Sequence, residues 1–204
     1  MPEPNSDLIR TSKTAFVESI YSEGNQDEWY TPLYGVEPIL KYIPQGAVVW
    51  CPFDKDYSYF NILIGRQNEV ITSHIDDGKD FLKYSCQPKK WDVMISNPPY
   101  TDKKMFFETA LLYGKPFAFL MAVTWLNDAM PFNLWMKYRQ QLQLLFFNRR
   151  IEYVKEGEIE GDRCPFASAY FCNRFLPRDL IVEELVVPQK GRNDKRAGTR
   201  FDVV

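Results

Sequence analysis

Asn97-Pro98-Pro99-Tyr100 gathers an amide, a carbonyl outside any ladder and an aromatic ring into four residues. Asn97 and the Pro98 carbonyl can accept the two hydrogens of an exocyclic amine on a planar base, while Tyr100 stacks on the ring. Neither Pro98 nor Pro99 has an N–H to donate, and Pro98 pushes Asn97 out of the helical region. The run before the turn, Val93-Met94-Ile95, is apolar and short, as a buried central strand of a parallel sheet is. The turn therefore falls at the carboxyl end of a strand, where open α/β sheets bind their ligands.

Here the chain resembles the amino-methyltransferases that use S-adenosylmethionine, the DNA adenine-N6 methyltransferases above all. The resemblance runs from about residue 28 to about residue 177 and lies in the order of several short motifs. Asn97, Pro98, Pro99 and Tyr100 are its catalytic turn. Trp50-Cys51-Pro52-Phe53-Asp54 stands where the wider family has a glycine-rich loop under the methionine part of the cofactor. This chain has no glycine there. Pro52, Phe53 and Asp54, followed by Ser58 and Phe60, look like the variant of the short phage and prophage enzymes. The plainer alternative makes Asp54 a helix N-cap. Trp29-Tyr30-Thr31-Pro32 resembles the upstream motif covering the cofactor, with Tyr30 a stacking face, Thr31 a hydroxyl for a carboxylate, and Pro32 completing the motif.

His74, Asp76 and Asp77 end the second strand, where an acidic group commonly holds ribose hydroxyls. Which of these side chains reaches the sugar stays open. His74 is the sole histidine. Gly78-Lys79-Asp80-Phe81 looks like the adenine-recognition motif, with Asp80 accepting from the amino group and Phe81 packing on the ring. Cys164-Pro165-Phe166 opens the last strand. Phe166 is read either as an aromatic that holds a flipped base or as a core residue. Arg149, Arg150 and Arg163 are read either as phosphate contacts or as a solvated face.

To position these groups the chain must alternate strands and helices. Residues 36–42, 57–66, 104–113 and 131–147 read as helices; residues 47–50, 69–75, 91–96 and 116–123 read as strands. Residues 6–21 have helical spacing as well. Alternation implies parallel pairing with right-handed crossovers. Residues 150–154 and 167–173 read as two strands around a polar loop, an antiparallel hairpin closing the sheet. The expected fold is thus α/β with a mostly parallel sheet, and the resemblance implies that it is a Rossmann-like class I methyltransferase. Its organisation is an N-terminal extension (1–27), the methyltransferase domain (28–187) and a basic C-terminal tail (188–204).

At 204 residues, with 45% apolar and 25% charged content, the chain suits one soluble α/β domain. No segment has the length or apolarity of a membrane span, and residues 1–10 lack a signal-peptide core. Cys51, Cys86, Cys164 and Cys172 form no C-x-x-C pair, which argues for reduced thiols in a cytoplasmic protein with no metal, and the resemblance implies a bacterium or phage-infected cell as the setting. A net charge of −2 speaks against a generic DNA-coating protein. Lys190, Arg192, Lys195, Arg196 and Arg200 nevertheless give the tail a positive excess over Asp194 and Asp202.

The resemblance implies methyl transfer from S-adenosylmethionine to adenine N6 in DNA, with DNA as partner and a cognate restriction endonuclease as a further one. Two alternatives stay open on the residues alone. One is a methyltransferase for RNA or a protein glutamine amide. The other is a catalytically silent nucleic-acid-binding module.

Overall fold

The computed structural model describes residues 29–127, 129–138, 142–155 and 166–187. A two-stranded ribbon pairs β1 (Trp29–Tyr30) with β7 (Val154–Lys155). The remaining strands are β2 (Val48–Cys51), β3 (Glu69–Thr72), β4 (Val93–Ser96), β5 (Phe117–Ala122), β6 (Gln143–Phe147), β8 (Ser168–Asn173) and β9 (Leu180–Glu183). They form one seven-stranded sheet in the order β3-β2-β4-β5-β8-β6-β9. Only β8 runs against its neighbours; β2–β3, β2–β4, β4–β5 and β6–β9 are parallel pairs. The fold is α/β and compatible with a Rossmann-like arrangement.

Alternate residues of each strand serve opposite faces, and the two cores divide on that rule. Val49, Cys51, Val93, Ile95, Ala118 and Leu120 pack with α1 (Leu33–Leu40) and α2 (Tyr59–Ile64). Val48, Trp50, Met94, Phe117, Phe119 and Met121 pack with α3 (Lys103–Tyr113) and α4 (Ala129–Tyr138). The chain steps outward from β2 to β3, then returns past β2 to β4 and continues the other way. Right-handed crossovers in opposite directions must put their helices on opposite faces. That is why α2 covers one face and α3 the other, and why a crevice opens between the carboxyl ends of β2 and β4.

Three expectations change. Residues 131–147 are not one helix: α4 ends at Tyr138, and Gln143–Phe147 is strand β6, held between β8 and β9. A continuous apolar run such as Leu144 to Phe147 fits a buried strand as well as a buried helix, so periodicity could not separate them. Residues 150–154 do not pair with 167–173; β8 inserts between β5 and β6, and β7 pairs with β1 instead. The antiparallel closure is therefore made by β8 alone within the sheet. Strand β9 is an addition, an edge strand with alternating exposure. The helix expected over 6–21, Arg163 and the basic tail lie outside the described residues. Among the described residues no helix is long and apolar enough to cross a membrane.

Candidate functional site

Strand direction fixes which loops share a rim. Since β8 is antiparallel to β5 and to β6, β6 runs with β5, and the carboxyl ends of β2, β3, β4, β5 and β6 all face the same way as the start of β8. Pro52–Asp54, His74–Asp76, Asn97–Tyr100, Asn148–Arg150 and Phe166 therefore all lie along one edge of the sheet. Five segments separated in sequence meet there because of topology.

At the switch point the paired register of β2 and β4 runs through Trp50↔Met94. Pro52 has no N–H with which to extend it. Ser96, fully buried at the end of β4, takes over. Its Oγ accepts from the Phe53 N–H at 3.3 Å and donates to Asp54 Oδ2. Ser58 is the N-cap of α2, accepting from the Asn61 N–H at 3.2 Å, so Asp54 is freed from that duty. The Ser58 hydroxyl serves Asp54 as well. Burial pushes the Asp54 carboxyl up to about 6, against the opposing effect of the Ser96 and Ser58 hydroxyls. A carboxyl this deep depends on those two hydroxyls for what stabilisation its anion has.

Beneath the corner lies an aromatic cluster. Phe53 is half-buried and touches Phe81, Phe106 and Phe119 at ring-centroid distances of 4.9, 4.9 and 5.7 Å. Trp50 packs on Phe81 and Trp91 and donates from Nε1 to Ser73 Oγ at 2.9 Å. Phe81, at 3% exposure, belongs to this core. Its ring is enclosed by Trp50, Phe53, Phe106 and Tyr113, and Phe53 is its half-buried neighbour on the corner. Pairs of this kind contribute roughly 0.5–1.5 kcal/mol each beyond area burial, enough to hold the corner rigid.

Asn97, Pro99 and Tyr100 are half-buried and Pro98 is buried. The turn ends in Asp102, whose backbone is left-handed at φ 58° and starts α3. Aspartate tolerates that region better than most residues. The Tyr100 ring meets Phe166 edge to face, centroids 4.8 Å apart, so the two aromatics expected to serve one base are in contact.

The Trp29–Pro32 segment meets this edge at Tyr57. Tyr30 reaches across to Tyr57, hydroxyl to hydroxyl at 3.1 Å. Thr31 is buried, and its Oγ1 makes no hydrogen bond among the described residues. Pro32 N-caps α1 in an extended conformation. A Cβ on Gly35 would stand 2.9 Å from Thr31 Cγ2, so glycine is what lets α1 close on that segment. Tyr170 Oη donates to the Gly35 carbonyl at 2.9 Å and ties it to β8.

On the β3 side the groups are more solvated. His74 Nδ1 lies 3.2 Å from the Asp76 backbone N–H and 3.2 Å from Asp76 Oδ2, so the ring is seated against this one residue. Asp76 pairs with Lys55 at 3.0 Å, and that contact holds its carboxyl below the usual range. Asp80 accepts from the Leu82 N–H at 3.0 Å and faces Lys83 at 3.5 Å. Thr72 donates to Asp56 at 2.5 Å. Beside this stretch an open cavity of about 330 Å³ is lined by Thr72, Ser73, Lys79, Cys86 and Lys89 among others. Arg149 and Arg150 are exposed after β6, on the same edge but beyond β5 and β8.

Sequence reasoning missed Ser96 and Lys55. Ser96 did carry a signal: it is the one polar residue of an otherwise apolar strand, directly before Asn97. No protein-family model matches this chain, and no curated protein is significantly similar to it.

Proposed function

We propose that the chain transfers a methyl group from S-adenosylmethionine to the exocyclic N6 of adenine in DNA. The observation that carries this reading is the junction of the Asn97 turn with the Pro52–Asp54 corner across the switch point, made by Ser96. A methyl-donor site and an amine site side by side are what such a reaction requires.

The corner fits the cofactor's chemistry. Asp54 offers a buried carboxylate to an ammonium group, and the buried Thr31 Oγ1 offers a donor to a carboxylate. Phe53 presents an apolar ring beside them. His74, Asp76 and Asp80 stand along the adjoining edge for the ribose and the purine. S-adenosylmethionine, when bound, supplies an electrophilic methyl on a sulfonium whose charge is lost on transfer. The chain then needs to orient and exclude water more than to move protons.

Adenine N6 is a poor nucleophile, because its lone pair is delocalised into the ring. Asn97 Oδ1 and the Pro98 carbonyl, accepting its two hydrogens, favour a pyramidal nitrogen with the lone pair directed at the methyl. Tyr100 and Phe166 supply the stacking that a flipped base has lost. Their present edge-to-face contact closes the slot between them, so a base stacked on both enters as the rings part. Arg149 and Arg150 lie beyond β5 and β8 for backbone phosphates.

The test is methyl transfer from labelled cofactor to DNA, RNA and protein in parallel, with modified-base detection on the products. N6-methyladenine in DNA is the expected result. Label in RNA or protein alone would reassign the acceptor. Absence of cofactor binding in calorimetry would remove the methyl-transfer reading.

A further inference from the structure

We propose that Ser96 is a positioning residue for this site: its buried hydroxyl, bonded to both Phe53 and Asp54, fixes the cofactor corner against the strand end that carries Asn97. The inference rests on the methyl-transfer reading and assigns a part to a residue outside the turn that meets the base.

The geometry asks for a hydroxyl at this point. The β2–β4 ladder stops where Pro52 withholds its N–H, so the two strand ends that flank the crevice lose their backbone connection just where the site begins. Ser96 restores it by accepting from the Phe53 N–H at 3.3 Å while donating to Asp54. A hydroxyl can do both at once; a methyl can do neither. Ser96 is also covalently next to Asn97, so any drift of the corner relative to β4 becomes drift of methyl donor relative to amine. Group transfer between two bound reactants is sensitive to such drift, with about 1 Å of misplacement costing on the order of 10²-fold in rate.

A role of this kind leaves a second mark, on protonation. The groups facing Asp54 are the Ser96 hydroxyl from β4, the Ser58 hydroxyl from the start of α2, the Cys51 thiol of β2 and the Tyr170 phenol of β8. Burial pushes the Cys51 and Tyr170 groups up, so both are neutral at pH 7. Lys55, the next residue, is turned to Asp76. Loss of the Ser96 donor therefore leaves the Asp54 anion less stabilised and moves its protonation to higher pH. An ammonium that needs that anion is then released at higher pH too.

The experiment compares the parent protein with Ser96→Ala and with Ser96→Cys, which is somewhat larger and keeps a weak donor. Cofactor binding is followed by calorimetry from pH 5 to pH 8, single-turnover methyl transfer to DNA is timed at saturating cofactor, and circular dichroism checks the fold. Ser96→Ala should lose about 10–100-fold in turnover, following the cost of misplacement. At pH 8 its cofactor affinity should stay within about threefold, a difference of roughly 0.65 kcal/mol. The acid midpoint of binding should move upward, and Ser96→Cys should lie between the two. A folded Ser96→Ala with parent turnover and parent midpoint overturns the positioning role alone, and so does a Ser96→Cys indistinguishable from Ser96→Ala in both. A parent protein that binds no cofactor overturns the methyl-transfer reading and this role with it.

Discussion

The two halves of the candidate edge, the corner between β2 and β4 and the loop beyond β3, are held by different physics. The corner is dry. Asp54, Ser58 and Ser96 are buried, their bonds link segments some forty residues apart, and an aromatic cluster packs beneath them. The β3 side is wet: Asp76 is 57% exposed, its partner Lys55 is on a loop, and Asp80 bonds within its own turn. In low dielectric a hydrogen bond is strong and its loss expensive, whereas an exposed ion pair is screened and adds little. The dry corner should therefore set geometry and chemistry. The wet side should set affinity in smaller increments.

The largest effect belongs to the turn beside the dry corner. Asn97→Ala removes one acceptor for the amine and leaves Pro52 to Asp54 untouched. Losing one preorganised transition-state hydrogen bond costs on the order of 10²–10³-fold in turnover. Cofactor affinity should stay within about threefold, roughly 0.65 kcal/mol. Asn97→Asp, whose oxygens can still accept, should keep more activity than the alanine variant. Single-turnover assays with parallel calorimetry check both. A parent rate in Asn97→Ala would put the chemistry elsewhere.

Next comes Asp54, whose carboxyl is raised to about 6. Between the unfolded value near 4 and that folded value, the native state binds more protons than the unfolded chain, so this group's contribution to stability falls as pH rises. The full change is on the order of 3 kcal/mol, complete above the folded pKa. Asp54→Asn keeps an acceptor for Ser96 and carries no charge. It should be more stable than the parent at pH 7, and the difference should vanish towards pH 4. Urea unfolding across that range measures it. Cofactor affinity should move oppositely: in the parent it rises with pH through about 6, and in Asp54→Asn it is weak throughout.

The same contrast explains what the sequence disclosed. Asn97 and Asp54 were legible because breakers mark them: prolines follow or precede an apolar run, and such a pattern places a turn at a strand end without any tertiary information. The alternation of strands and helices was legible for the same reason. What makes the corner a single unit was less so, because the Ser96 and Asp54 bond joins the end of β4 to the loop after β2, whose proximity depends on strand order. That the Phe81 ring sits among Trp50 and Tyr113 was not legible either, because those rings come from β2 and α3. The β6 strand was lost in a run of Leu and Phe that suits either period. The β1–β7 ribbon is two residues a side, too short for any periodicity to register.

Asp80 lies between the extremes. Its side chain is 24% exposed and holds its own turn through the Leu82 N–H. If it also accepts from the purine amine, Asp80→Ala should weaken S-adenosylmethionine binding by about 1–3 kcal/mol, the cost of removing a partner from a polar group held out of water. Titration calorimetry reads this directly, with thermal unfolding to separate loss of the turn from loss of the contact. Unchanged affinity in a folded variant would assign Asp80 to the turn alone.

The smallest effect should come from Asp76, and it tests the wet side most sharply. Lys55 holds the Asp76 carboxyl below its usual range, so the pair stabilises the fold above the unfolded pKa and loses that contribution as pH falls. This slope is opposite in sign to that of Asp54. Exposure and salt should reduce it to a marginal change, so the melting temperature of Asp76→Asn should match the parent's at physiological ionic strength and separate from it only at low salt. A large loss that salt does not diminish would show the loop beyond β3 to be as firmly built as the corner, and the contrast would fail. Cofactor affinity sharpens the result. If Asp76 meets the ribose hydroxyls, Asp76→Asn weakens binding with no change in melting temperature; if both quantities stay put, His74 and Asp77 are the remaining candidates on that strand end.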